Sequence, residues 1–470
     1  MEGTSMTTKK WGAWMLTAIV VGNMVGSGIF MLPASLARLA SPLAVTLAWL
    51  LTGFGVLLIG LVFGNLAIRR PDLTAGPQSY ASALFRNPRR GKVFGFTIAW
   101  GYWVANWSGN VAIITTFAGY LSTFFPIMKQ TSVLFQIGSF PVETGKLITF
   151  LVCTIYLWGT HFILCRNTLV AGRLNFMATA TKVIGFVFFM VAALSIFQWS
   201  MMGSFYYPMS EVGSTVEHGL LEQINLAAIS TLWAFVGIES ASILSARARS
   251  QRDVKIATIL GLVIVVCIYV LITLLTMGVL PVEALRHSDK PLADALVAIM
   301  GPTGGIVLAL LAIFSLMGTT IGWILVGSEV SYQAAQAGMF PKIFEKTNQH
   351  GSPAQALLIT NLCTQIFVFS TISNTIAGAF TFVITVATLA YLIPYIVSAL
   401  YQLKLVYTGE TYRIGETRTR VLDGCVGILA TLYSLWVIKT GIADLETLLL
   451  GMGLFFSAIL IYPFAFKKSA

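Results

Sequence analysis

Gly22-Asn23-Met24-Val25-Gly26-Ser27-Gly28 stands in the middle of an apolar run that extends from Trp11 to Ala37 without a charge. The run exceeds the roughly 20 apolar residues a bilayer-spanning helix needs. A straight helix, however, is destabilised by about 1 kcal/mol at each glycine relative to alanine. The segment therefore predicts a membrane span whose centre is opened rather than helical. A second segment of the same kind, Trp233-Ala234-Phe235-Val236-Gly237-Ile238-Glu239-Ser240, interrupts another apolar run five spans later. Polar, glycine-broken segments at corresponding places five spans apart are the pattern of an inverted five-plus-five repeat. An odd number of spans per repeat turns the second copy upside down.

Outward from these two segments, further charge-free stretches run from Val93 to Met128, Val183 to Ser210, Ile256 to Val282 and Ala295 to Ser328. Of the 470 residues, 57% are hydrophobic and 10% charged, against roughly 25% charged in a soluble domain. A water-soluble globule and a disordered chain are both excluded. A β-barrel would show alternating segments of about ten residues, which these continuous runs are not. The expected fold is all-α and polytopic, with twelve spans near 11–38, 42–68, 94–125, 147–165, 172–198, 222–246, 256–281, 304–336, 353–371, 375–403, 421–440 and 446–466. The first of them reads as a retained span, since it has no small-residue cleavage site. Residues 1–10 form a tail, 11–200 a first five-helix repeat, 221–403 a second, inverted one, and 421–466 the last two helices.

The net charge of +11 has a topological explanation and calls for no nucleic acid. With the N-terminus inside, Lys9, Lys10, Arg86, Arg89, Arg90, Lys92, Arg247, Arg249, Arg252, Lys255, Arg413, Arg418, Arg420, Lys467 and Lys468 all fall on the inner side. The outer side holds Arg38, Lys129, Lys146, Arg286, Lys290 and Lys439. This asymmetry predicts that both termini are cytoplasmic. Cys153, Cys165, Cys267, Cys363 and Cys425 are scattered with no CxxC pair, so neither disulfides nor a metal site is expected.

A helix broken at the bilayer midplane exposes amides at the start of its second half and carbonyls at the end of its first. That suits a zwitterion. The amides around Gly26, Ser27 and Gly28, at the positive end of a half-helix dipole, can hold an α-carboxylate. Carbonyls before the break and near Trp233 can accept from an α-ammonium. The same glycines could instead form a small-residue contact between helices. Tyr102, Trp107, Trp233 and Trp323 offer ring faces for a cationic side chain, worth ~0.5–2 kcal/mol per contact, although each could equally be an ordinary packing residue. Lys182 lies inside the fifth span with no acid in its run. It is a candidate to titrate during transport, or a fixed cation bonded to carbonyls of the broken first span. Glu239 could gate the site or bridge the unwound backbone.

Gly22 to Phe30 followed by Leu32-Pro33-Ala34 resembles the first-helix signature of the amino acid, polyamine and organocation transporters, in particular the basic amino acid/polyamine antiporters. The resemblance continues through Gly76-Pro77-Gln78-Ser79-Tyr80-Ala81, Tyr102-Trp103, Ala105-Asn106-Trp107-Ser108-Gly109-Asn110, Leu232-Trp233, Phe235 to Ser242, Gly322-Trp323 and Gly338-Met339-Phe340-Pro341. It implies a LeuT-type fold, amino acid and amine substrates, a homodimer and a bacterial inner-membrane location. It also implies substrate contacts at Asn23, Gly26, Ser27, Gly28, Ala105, Asn106, Asn110, Trp233, Val236 and Trp323, and gating by Tyr102, Glu239 and Trp323. Thr385 sits where the arginine/agmatine antiporter has a serine. Asn106 within Ala-Asn-Trp is more similar to the lysine/cadaverine exchanger. Lys182 resembles the lysine of proton-coupled permeases, where it takes the place of a sodium ion.

The function so implied is an antiporter that exchanges an amino acid, cationic by the resemblance, for its decarboxylated amine or another amino acid, which would serve acid resistance. The alternative is a proton-coupled permease that uses Lys182. A receptor would need a soluble signalling domain, and the inner segments 69–93 and 404–420 are too short for one. No HExxH, P-loop, GxSxG or paired-carboxylate arrangement is present, so no enzyme and no cofactor are expected.

Overall fold

The computed structural model describes residues 12–73, 76–137, 140–166, 168–210, 217–240, 248–336, 338–373, 375–441 and 445–465. The tail 1–10, Arg247, Lys467 and Lys468 of the orientation reading, and Ala241-Ser242 of the second motif, lie outside the described residues.

In a bilayer every backbone polar group must be satisfied within the protein, and the apolar runs accordingly fold as helices. They are α1 (Ala13–Met24), α2 (Gly28–Leu39), α3 (Pro42–Arg69), α4 (Pro77–Leu84), α5 (Pro88–Leu121), α6 (Thr144–Arg166), α7 (Thr168–Ile196), α8 (Leu220–Ala234) and α9 (Gln251–Met277). After them come α10 (Val282–Arg286), α11 (Pro291–Met300), α12 (Pro302–Gln336), α13 (Ala354–Val368), α14 (Ile376–Thr408), α15 (Thr417–Gly441) and α16 (Leu445–Ala465). Proline begins α3, α4 and α5, where its missing N–H would have no helical partner anyway. Asn87, Ser250 and Thr375 cap α5, α9 and α14 by accepting first-turn amides, as short polar side chains do at that position.

Among the described residues, eight helices are long and apolar enough to cross a membrane, and α1 with α2 make one further, bent span. The spans expected at 94–125, 172–198 and 222–246 correspond to α5, α7 and α8. α5 is long enough but carries Asn106, Asn110 and many small residues; α8 is cut short at the second broken segment. The composition of α5 and the break after α8 both bring polar groups to the centre. A short antiparallel hairpin, Val133–Ile137 with Phe140–Glu143, lies between α5 and α6 and was not foreseen.

α5 packs against α12 and α14, α7 against α12, and α9 against α3 and α1. The buried interior is rich in aromatics, with Trp49, Tyr80, Tyr120, Tyr269, Tyr391 and Tyr395 all almost fully enclosed. Leu50, Phe54, Ile155, Phe162, Val191, Ile366, Leu432 and Leu460 are exposed. Such an apolar outer surface suits hydrocarbon and is inconsistent with water. At the end of α3, Arg69 pairs with Glu416 at 2.6 Å and Asn65 donates to Asp423 at 2.9 Å. This polar cluster fastens the segment before α15 to the bundle.

Candidate functional site

α1 stops at Met24, α2 starts at Gly28, and the two axes bend by 48°. The Gly26 amide turns to Met24 O at 2.8 Å, so Gly22 O loses the i+4 amide that a continuous helix would supply. Lys182 Nζ donates to that carbonyl at 3.2 Å and also to Val25 O. The lysine is buried on α7, and through these two carbonyls it reaches the broken first span.

α8 stops at Ala234, and residues 235–239 form turns in which Gly237 takes a φ of 107°. The two broken segments meet. Asn23 Nδ2 donates to Ser240 Oγ at 2.8 Å, and a Cβ on Gly237 would lie 3.3 Å from the Asn23 carbonyl carbon. Gly28 lies as close to Ala234, with a Cβ there reaching the Ala234 Cα at 3.5 Å. Tyr269 of α9 joins the segments from behind, its hydroxyl 2.7 Å from Met24 O and 2.8 Å from Ala234 O. Its ring stacks on Trp49 at 5.0 Å. One phenol thus stands between the last carbonyls of α1 and α8, and its single proton serves one of them at a time.

A cavity of about 100 Å³ opens beside this junction. Asn23, Val236, Gly237, Glu239 and Ser240 line it from the broken segments; Tyr102 and Asn106 from α5; Gly322, Trp323 and Val326 from α12; and Tyr391 from α14. A second space of only about 10 Å³ lies against Gly26, Ser27, Gly28 and Trp233. Its volume is about that of one water. Val236 and Trp323 line both spaces, and the Trp233 and Trp323 rings lie 5.5 Å apart. Both indoles therefore border the small space beside the glycine segment. Gly109 makes the seat for these rings: a Cβ there would be 2.6 Å from Trp233 and 3.2 Å from Trp323.

Glu239 is 1% exposed and fully engaged. Its Oε1 accepts from Tyr102 OH at 2.7 Å; its Oε2 accepts from Tyr395 OH at 2.8 Å and from the Gly237 amide at 3.2 Å. It both bridges the unwound backbone and links α5 to α14.

Of the residues singled out in the sequence, Asn23, Tyr102, Asn106, Val236, Glu239 and Trp323 line the larger cavity, while Gly26, Ser27, Gly28 and Trp233 line the smaller. Ala105, Asn110 and Thr385 line neither. Asn110 is nonetheless buried with neither carboxamide atom hydrogen-bonded among the described residues, and the Thr385 hydroxyl bonds back to Thr381 O at 2.9 Å. Trp107 does not join the site: it packs on Phe367 at 4.9 Å and on Trp103, in a separate aromatic cluster. The sequence reading missed Tyr269, Tyr391 and Tyr395. Their signal was a phenol inside an apolar span, since a buried tyrosine hydroxyl needs a partner.

Residues 12–464 match the amino acid permease family. Over 462 residues, 98% of each chain, the sequence is 60% identical to a Bacillus subtilis (strain 168) protein with the name "Putative arginine/ornithine antiporter". It is 33% identical over 434 residues to the arginine/ornithine antiporter of Pseudomonas aeruginosa, covering 91% of this chain and 85% of that one. A protein of the same name from Latilactobacillus sakei is 31% identical over 429 residues, 91% of this chain and 84% of the relative. The family match takes in both broken helices and the helices packed on them, and it makes this chain a member of the amino acid permease family, within the amino acid, polyamine and organocation superfamily: an integral membrane transporter and not an enzyme.

Proposed function

We propose that this protein exchanges arginine for ornithine by alternating access. The observation that carries the reading is the 60% identity, over nearly the whole of both chains, to a relative named for that exchange. The site chemistry supports it. Arginine and ornithine share the α-carboxylate and α-ammonium that two broken helices can hold through amides and carbonyls. A decarboxylated amine brings no carboxylate to the Ser27 and Gly28 amides, so the exchange of two amino acids fits the site better than amino acid against amine. Both cargoes are monocations, so one-for-one exchange moves no net charge. In this reading the chain has twelve spans in two inverted repeats, 11–200 and 221–403, followed by 421–466. The 1–10 tail and both termini are cytoplasmic in a bacterial inner membrane, and two copies form a dimer.

In proteoliposomes, radiolabelled arginine should enter vesicles preloaded with ornithine and be insensitive to a clamped membrane potential. Uptake into empty vesicles should stay at background. Equal uptake into empty vesicles, stimulated by an inward proton gradient, would instead establish the permease that uses Lys182.

A further inference from the structure

We propose that Gly327 is a positioning residue that sets which cationic side chain the cavity accepts, by giving the Asn106 carboxamide room to lie against α12. This inference rests on the arginine/ornithine reading and names a determinant within the same site. Gly327 is buried one turn beyond Trp323, so the two share a face of α12. A Cβ on Gly327 would lie 1.9 Å from Asn106 Oδ1 and 2.7 Å from Asn106 Cγ. Ordinary contact begins near 3.4 Å, so alanine at this position drives the carboxamide about 1.5 Å away from α12. Asn106 lines the cavity together with Tyr102 and Tyr391, so a displaced carboxamide reshapes that wall.

The carboxamide is placed to matter. Asn106 is 2% exposed, and its Oδ1 accepts no hydrogen bond among the described residues. A buried acceptor left open is costly, and no hydrogen bond among the described residues holds Oδ1 in place against α12. A guanidinium, planar and carrying five N–H donors, takes up more of a cavity of about 100 Å³ than the compact ammonium of ornithine does. Displacing Asn106 into the cavity therefore penalises arginine more than ornithine.

The test uses the full-length protein in nanodiscs, with dissociation constants for arginine and ornithine measured by calorimetry. Gly327→Ala should raise the ratio of the arginine to the ornithine constant by about tenfold or more, within the range that pocket shape can discriminate. In an Asn106→Gly background the same substitution should shift that ratio less than twofold. A wild-type ratio in Gly327→Ala, or equal shifts in both backgrounds, overturns the proposal while the exchange reading stands. Wild-type protein that binds neither amino acid ends both. If Gly327→Ala fails to fold alone, recovery of folding with Asn106→Gly supports the contact, and failure in both backgrounds contradicts it.

Discussion

Gly237→Ala should lower the exchange rate by about 100-fold, whereas Gly203→Ala should stay within about twofold of wild type. Both glycines have positive φ, 107° and 64° respectively, a region that other residues enter at a cost on the order of 1–3 kcal/mol. Their surroundings differ. Nothing lies within 4 Å of a Cβ on Gly203, while one on Gly237 meets the Asn23 carbonyl carbon at 3.3 Å and its oxygen at 3.4 Å. Alanine at 237 thus adds crowding to strain at a place where the two broken segments touch, and it disturbs the Asn23 to Ser240 hydrogen bond beside it. A hundredfold loss corresponds to about 2.7 kcal/mol, within reach of strain and crowding together. The comparison is made by counterflow of labelled arginine in vesicles with matched protein content. Equal losses in the two variants would mean that backbone strain alone matters and that contact between the segments does not.

Lys182→Ala should have the second largest effect, a fall in exchange of more than about tenfold together with a lower melting temperature. The lysine donates to Gly22 O and Val25 O, and an unpaired buried polar group costs about 1–3 kcal/mol. Without the ammonium, Gly22 O has neither this partner nor the helical amide, because Gly26 N is turned to Met24 O. If the lysine is a structural cation, exchange falls by the same factor at every external pH between 5 and 8. If it couples protons, only the response to a proton gradient disappears and exchange between equal pH values survives. Melting curves and counterflow on the same preparation separate these outcomes.

The all-helical membrane class followed from composition and from the length of the apolar runs, because the bilayer leaves few other solutions for such a chain. Both breaks were legible because glycine and polar residues have no favourable place in a straight apolar helix unless something uses the opened backbone. What periodicity and composition could not convey was which side chains converge. Trp107 and Tyr102 stand on the same helix in the same aromatic-rich stretch, yet Tyr102 reaches Glu239 and Trp107 turns to Phe367. Five residues at about 100° each put them on opposite sides of α5, and only the packing of α12 and α14 decides which side is the cavity. Tyr269 was missed for a related reason. Its role depends on two carbonyls from segments more than two hundred residues apart in sequence, and no local pattern marks it. The hairpin between α5 and α6 was hidden by its brevity, since an isolated two-stranded pair has little signal of its own.

The account depends on opened backbone at 25–27 and 235–239 acting as the receptor for an amino acid. An electron cryo-microscopy structure of the protein in nanodiscs with saturating arginine tests this most directly. The α-carboxylate should lie within about 2.7–3.2 Å of the amides of Ser27 and Gly28, with the guanidinium beside Trp323 and Asn106. A continuous helix through 22–28, or arginine bound with its carboxylate away from those amides, would contradict it.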